Sequence, residues 1–457
     1  MKESSYDLII RNGQIVTEDG IFQGDIAVCE QKIVQIGSIP SGRKAKLEID
    51  AFGLHVLPGL IDTHVHFNEP GRTDWEGFYT GSRSLAAGGV TTFFDMPLNS
   101  SPPTTSTYGF QVKKEAAIQK SILDFGLWGG LVPGNLDSLE HLKDLGVIGF
   151  KGFMSDSGID EFPHVDDCTL FKGMQKIARL GSILALHAES DVITKQLADW
   201  YKSQGNRTAR DYVASRPVIS EIEAVGRAAA YAEITGCKLH IVHASSGKVI
   251  KYISEAKQRG VDITVETCPH YLSFTIEDLE RLGGMAKCAP PLREREDVES
   301  LWEALKSGEI DIIGSDHSPS PPAMKVASDN GDFFSLWGGI SGAQTTLNVM
   351  LEEGYWRRGI PLEVIVRVTA TNPAKRFGLY PRKGTIAVGS DADLTLVDLQ
   401  SSFVLKETDL LYRHQQSPYI GKSFRGIVTH TILRGRVVFQ RGEIIDNNIS
   451  GQIVYCR

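Results

Sequence analysis

Leu57-Pro58-Gly59-Leu60-Ile61-Asp62-Thr63-His64-Val65-His66-Phe67-Asn68-Glu69-Pro70-Gly71-Arg72 is the stretch from which the rest of the 457-residue chain is read. An apolar run ends in a His-x-His pair. Side chains on a strand alternate faces, so His64 and His66 must project to the same side. Two imidazoles on one face at a strand end make half of a metal site.

Downstream of it, apolar strand-like runs alternate with helical segments. Eight such runs occur, at 57–66, 90–96, 123–131, 147–153, 182–188, 238–243, 262–268 and 310–316. This rhythm predicts a parallel sheet, and eight strands with intervening helices mean a (β/α)8 barrel. The segments 220–234 and 294–306 carry apolar residues at helical spacing and are read as scaffold helices. Short strands punctuated by Asn-Gly and Asp-Gly precede the barrel, at 7–13, 14–16, 25–28 and 32–37, and read as antiparallel β structure. Similar runs follow it, at 383–386, 392–398, 426–435 and 437–439. Each set is too slight for a core of its own, so the two are expected to fold together into one small β-sandwich. The expected division is 1–55 with 383–457 as the composite β domain, and 56–382 as the barrel.

The formal net charge of -8 and a pI near 5.9 argue against a nucleic-acid or membrane-surface partner, because no basic run concentrates positive potential. The partner is expected to be a small molecule. Six cysteines without CxxC spacing suit reduced thiols in a cytoplasm. The first residues lack a basic then apolar leader pattern, and no run of about 18 apolar residues occurs, so neither export nor membrane spanning is expected.

In a barrel of this kind chemistry gathers at the C-terminal ends of the strands. There the chain places His64 and His66 on strand one, Lys151 on strand four, His187 on strand five, His243 on strand six and Asp316 on strand eight. Such a set would bind two divalent metals if Lys151 carried a carboxylate, because a free ammonium is repelled by metals and has no lone pair. Carbamylation by carbon dioxide would supply one. His55, His141, His164, His240, His270, His317, His414 and His430 are read as scaffold, with His270 and His317 nearest the mouth. The Ser246-Gly247-Lys248 segment lacks the spacing of a phosphate loop and reads as a helix start.

Five motifs then carry a resemblance: residues 58–66, Phe150-Lys151-Gly152-Phe153-Met154, His187-Ala188-Glu189, His243-Ala244-Ser245-Ser246 and Gly314-Ser315-Asp316-His317-Ser318-Pro319. With Asn372-Pro373-Ala374-Lys375, Lys383-Gly384-Thr385-Ile386 and residues 389–393, the chain resembles the amidohydrolase superfamily over nearly its whole length. The branch is that of the cyclic amidases, which contains dihydroorotases, dihydropyrimidinases, hydantoinases and allantoinases. The resemblance implies that His64, His66 and Asp316 hold one metal and His187 and His243 the other. N6-carboxylated Lys151 and a hydroxide would bridge them. Zn2+ is the expected ion, with Co2+ or Mn2+ also suited to these ligands, and a homotetramer is the expected assembly.

Within the branch, Asn68 stands where dihydroorotases carry the arginine of His-x-His-x-Arg. The loss of that cation argues against a carboxylate substrate, with Arg72 as a possible replacement. Ser155 and Asp156 stand where dihydropyrimidinases and hydantoinases place a tyrosine. Residues 67–78, 316–319 and 333–340 resemble the allantoinase group, which implies hydrolysis of a ureide, allantoin, to allantoate. A hydantoinase or dihydropyrimidinase activity is the alternative. A metal-free scaffold relative is the remote one, and the complete ligand set argues against it. Asp316 is then the expected proton carrier. Asn99, Ser155, Ser318 and Asn68 are the expected substrate contacts, with backbone near 288–291 and 338–339. The loop 318–335 is a candidate cover over the site.

Overall fold

A computed structural model describes residues 6–327, 331–445 and 450–456. The chain opens with β1 (Tyr6–Val16), β2 (Ile21–Cys29), β3 (Lys32–Gly37), β4 (Ala45–Asp50) and β5 (His55–Pro58). The runs 7–13 and 14–16 are one strand, not two. Asn12 adopts a left-handed φ of 62° and makes a bulge inside β1, held by its Nδ2 donating to Asp50 Oδ1 at 3.0 Å. The sheet is also mixed rather than purely antiparallel. β2 runs antiparallel to β1, while β4 and β5 lie parallel to its first and second halves.

The barrel follows as β6 (Leu60–Val65), β7 (Val90–Asp95), β8 (Asp124–Leu127), β9 (Gly129–Gly130), β10 (Phe150–Phe153), β11 (Ile183–His187), β12 (Lys238–Ile241), β13 (Ile263–Thr267) and β14 (Ile312–Ile313). β8 and β9 are two parts of strand three, parted at Trp128, whose indole turns to donate to the Thr63 carbonyl at 3.1 Å. Every neighbouring pair is parallel. The ring closes where His66 N donates to the His317 carbonyl at 2.8 Å, joining strand one to the end of strand eight. The expected helices occur as Val218–Thr235 and Arg295–Lys306. Ser246 caps the helix Gly247–Gln258, so that segment is a helix start as read.

The chain returns to the first sheet with β15 (Leu394–Val404), β16 (Ser423–Leu433), β17 (Arg436–Gln440) and β18 (Glu443–Ile444). The strand order is β18-β17-β16-β15-β5-β1-β2-β3, with β4 on the other part of β1. The two termini thus share one nine-stranded sheet that forks at β1. Residues from both ends of the chain pack together in it, Ile10, Ile26 and Val56 meeting Leu394, Leu396 and Ile432.

Residues 383–386 are not a strand. Lys383 is buried with its Nζ 2.7 Å from Asp124 Oδ2 and 2.6 Å from Asp393 Oδ2, and Arg434 also bonds Asp124. Gly384 then turns at φ 79° with no room for a Cβ against the Ala370 carbonyl. A buried ammonium seeking two carboxylates sets this segment's course, overriding its β-like composition. Asp124 opens β8, so the cluster fastens the terminal sheet to the barrel. Burial alone would raise the Asp124 carboxyl, but Lys383 and Arg434 hold it below the usual range. Lys383→Met would strip the buried Asp393 carboxylate of its cation and leave Asp124 with Arg434 alone. The expected loss is about 3–5 kcal/mol, read as a lower denaturant midpoint; an unchanged midpoint would show that the cluster contributes nothing.

Candidate metal centre

Parity on β6 and the turn that follows it puts Asp62, His64 and His66 on one side. Asp62 Oδ1 accepts from the backbone N–H groups of His64 and Ser315, each at 3.1 Å, tying strand one to strand eight beneath the mouth. His64 Nδ1 lies 2.8 Å from Glu266 Oε1 on β13. With Nδ1 engaged there, Nε2 is left to face inward, 3.1 Å from Asp316 Oδ1. His66 Nε2 meets the same oxygen at 3.3 Å. The ligand atoms of His64, His66 and Asp316 all lie within 4.8 Å of one another.

The second pair is built the same way. His187 ends β11 with Nε2 2.8 Å from Glu189 Oε2, and Arg216 pairs with that carboxylate from behind. Its free Nδ1 then faces His243 Nε2 at 3.1 Å. Phe153 stacks on the His187 ring at 4.7 Å and 11°, which fixes the ring plane. His243 and Asp316 hold left-handed φ values of 42° and 45°, a strained backbone that turns each side chain into the mouth.

Lys151 on β10 is fully buried, and its Nζ has no hydrogen-bond partner. Burial pulls the ammonium down to about 8, against the attraction of Asp316 and Glu266. Burial likewise lowers His66 to about 4, with Asp316 opposing, and depresses His187 and His243. Burial opposes ionisation of Asp316, yet His64 and His66 outweigh it and keep the carboxylate charged. The result is three imidazoles, His66, His187 and His243, held below their usual range, an anionic carboxylate, and an amine close to losing its proton. This donor set fits divalent cations, and the orphaned amine fits conversion to a carboxylate.

The structure therefore brings His64, His66, His187, His243 and Asp316 together at one mouth, with Lys151 close enough to bias three of the imidazoles. The proposed substrate contacts are more varied. Asn68 and Asn99 are buried at φ 64° and 67°. Asn68 Nδ2 donates to the Pro319 carbonyl at 3.2 Å, and its Oδ1 is unpartnered, as is the fully buried Ser155 Oγ. Ser318 N donates to the Ile340 carbonyl at 3.0 Å. Gly339, at φ 133°, passes so close to Ser318 that a Cβ would sit 2.3 Å from its carbonyl oxygen. Arg72 is committed to the Asn99 carbonyl at 3.0 Å and to Glu161 at 3.1 Å, so it does not replace the arginine missing at Asn68. His317 is scaffold: its Nδ1 accepts from Gly342 N at 3.2 Å, and Glu76 lies 3.4 Å from Nε2.

Of the loop 318–335, residues 328–330 lie outside the described residues. The described remainder is tied down. Lys287 Nζ donates to the carbonyls of Phe333, Phe334 and Leu336 at 2.9, 3.0 and 2.5 Å, and Lys325 Nζ to those of Trp337 and Gly339. Glu266, Glu189, Lys287 and Lys325 carry structural duties at the mouth that sequence reasoning did not assign. Glu266 had a signal, an acidic residue inside the apolar strand Ile-Thr-Val-Glu-Thr. Replacing it by Gln should weaken divalent-cation affinity roughly 10–100-fold, measured by chelator competition. Unchanged affinity would mean that Glu266 does not set the His64 donor.

Comparisons with known proteins fit this centre. The amidohydrolase family pattern matches residues 55–438. An allantoinase of Deinococcus radiodurans is 54% identical over 440 residues, covering 96% of each chain. One of Solibacter usitatus is 53% identical, covering 96% of this chain and 94% of that one. Among solved structures, an L-hydantoinase (dihydropyrimidinase) from Arthrobacter aurescens superposes with a TM-score of 0.95 at 38% identity, covering 98% of this chain and all of the other. A D-hydantoinase structure gives 0.91 at 34% identity, covering 99% of each. The chain belongs to the amidohydrolase family, in the company of the allantoinases.

Proposed function

We propose that the chain hydrolyses allantoin to allantoate at a pair of divalent cations. The observation that carries this reading is full-length identity of about half to allantoinases, combined with the ligand set at the barrel mouth. His64, His66 and Asp316 would hold one cation and His187 and His243 the other, with N6-carboxylated Lys151 between them. Zn2+ is the expected ion, with Co2+ or Mn2+ also suited to imidazole and carboxylate donors. When bound, such cations make water nucleophilic at neutral pH and draw charge from an amide oxygen.

The protein's own groups supply the rest. Carbon dioxide adds to the neutral Lys151 Nζ, which forms an N–C bond and releases a proton; burial favours that neutral amine. Asp316, ionised, accepts the proton of the attacking water as the new O–C bond forms. It then hands that proton to the ring nitrogen as the C–N bond breaks. The unspent Asn68 Oδ1 and Ser155 Oγ are the polar atoms a ureide would engage, and Asn99 and Ser318 are the further contacts expected for it. No cation stands at Asn68 to receive a substrate carboxylate, and Arg72 is already paired.

Among the described residues no helix is long and apolar enough to cross a membrane. A cytoplasmic homotetramer belongs to the same reading, and light scattering that finds a monomer would remove the assembly part. The deciding experiment is hydrolysis of allantoin by metal-loaded protein beside hydantoin, dihydrouracil and dihydroorotate. Preference for allantoin is expected, while activity only on hydantoin or dihydrouracil would keep the chemistry and overturn the substrate. Asp316→Asn should lower turnover roughly 10²–10⁴-fold, and near-full activity would remove Asp316 from the proton path.

A further inference from the structure

Strand seven brings a second donor set to the same mouth. Glu266 and Cys268 stand two residues apart at the end of β13 and so share a face, the carboxylate behind His64 and the thiol one step nearer the opening. His270 follows in the turn beyond. Ligand atoms of Cys268, His270 and Asp316 all lie within 4.8 Å of one another. Cys268 and His270 are both buried, 0% and 1% exposed, and neither has a part in the chemistry described above.

A buried cysteine alone is an ordinary small apolar side chain. The second observation is His270: its Nε2 is buried with no hydrogen-bond partner. Its ring leans on Tyr271 at 4.3 Å, yet the Tyr271 hydroxyl is spent on the Pro290 carbonyl at 2.6 Å and leaves the imidazole unserved. An orphaned buried polar atom costs about 1–3 kcal/mol, so His270 Nε2 is a donor open to a ligand. Asp316 has an oxygen to share, since both close imidazole contacts, from His64 and His66, fall on Oδ1.

We propose that Cys268, His270 and Asp316 form a third, inhibitory metal site that takes a soft divalent cation, cadmium or surplus zinc. A thiolate, imidazole and carboxylate set selects thiophilic ions over magnesium or calcium. On binding, the cysteine S–H gives its proton to solvent and the sulfur bonds the cation. Asp316 is then engaged from strand seven and no longer free to carry the substrate proton. The inhibitory half of this inference rests on the proton role given to Asp316 above.

The test uses metal-loaded protein in a Cys168→Ser background, which removes the exposed thiol. Cadmium is titrated while ultraviolet thiolate-to-cadmium charge-transfer absorbance, bound metal per chain and allantoin turnover are followed together. The expected result is a thiolate band, one further cation bound and activity falling in step with the band. Cys268→Ser should lose the band and bind that cation at least about tenfold more weakly while keeping its basal turnover. His270→Gln should weaken the same step by a similar factor, and it serves if the cysteine variant does not fold. Inhibition without a thiolate band, or unchanged in both variants, would overturn the site. A thiolate band in protein that never hydrolyses allantoin would keep the site and remove the reading on which its inhibitory effect rests.

Discussion

The hydrogen bond between His64 Nδ1 and Glu266 Oε1, 2.8 Å long, is the constraint around which the barrel mouth is arranged. An imidazole that gives its Nδ1 proton to a carboxylate must offer its lone pair at Nε2, so a residue on strand seven decides what a residue on strand one can hold. Glu266 is itself fixed by Thr63 Oγ1 at 2.6 Å. Strand eight must pass close to it, and Gly314 is where it does, since a Cβ there would sit 2.5 Å from the Glu266 carboxylate. Glu189 and Arg216 repeat the device behind His187. Burial would raise Glu189, but Arg216 and His187 outweigh it and hold the carboxyl at about 2, so it stays an acceptor.

Buried lysines show what is unusual about the centre. Among the described residues the fully or nearly buried ones are Lys113, Lys151, Lys287, Lys325 and Lys383. Lys113 meets Asp95 and the Met96 carbonyl, Lys287 and Lys325 meet backbone carbonyls, and Lys383 meets two aspartates. Only Lys151 has a nitrogen without a partner. Since an unmet buried ammonium costs several kcal/mol, the exception argues that Lys151 acts in another chemical form. A carboxylate on that nitrogen, the form proposed above, would remove the penalty.

Much of this was legible in the sequence because it is local. The eight apolar runs all appear as barrel strands, and His-x-His parity places both imidazoles inward. The features that were missed depend on partners remote in the chain. Glu266 is an oddity in an apolar strand until His64, some two hundred positions earlier, is placed against it. Lys383 begins a run that looks like a strand, and only Asp124, far upstream, explains why it turns instead. Asn12-Gly13 has the composition of a hairpin turn, yet Asp50 and the pairing of β4 and β5 make it a bulge in a continuous strand.

The same reasoning alters the view of the loop beyond Asp316. Proline, serine and glycine in 318–335 read as a cover free to move, but two buried ammonium groups bind the carbonyls of 333–339. Burial pulls Lys287 and Lys325 each to about 7, with Asp332 opposing the shift at Lys287 and Cys288 opposing it at Lys325. Trp337 also packs edge-on against Trp75 at 4.9 Å, linking this wall to the strand-one loop that carries Asn68. A mouth braced in this way is set before substrate arrives, which lowers the entropy cost of binding. On the reading proposed above, discrimination among cyclic amides would fall to unpartnered polar atoms held in place, such as Asn68 Oδ1 and Ser155 Oγ. A ring that leaves such an atom unmatched forfeits more than one that merely fits less closely.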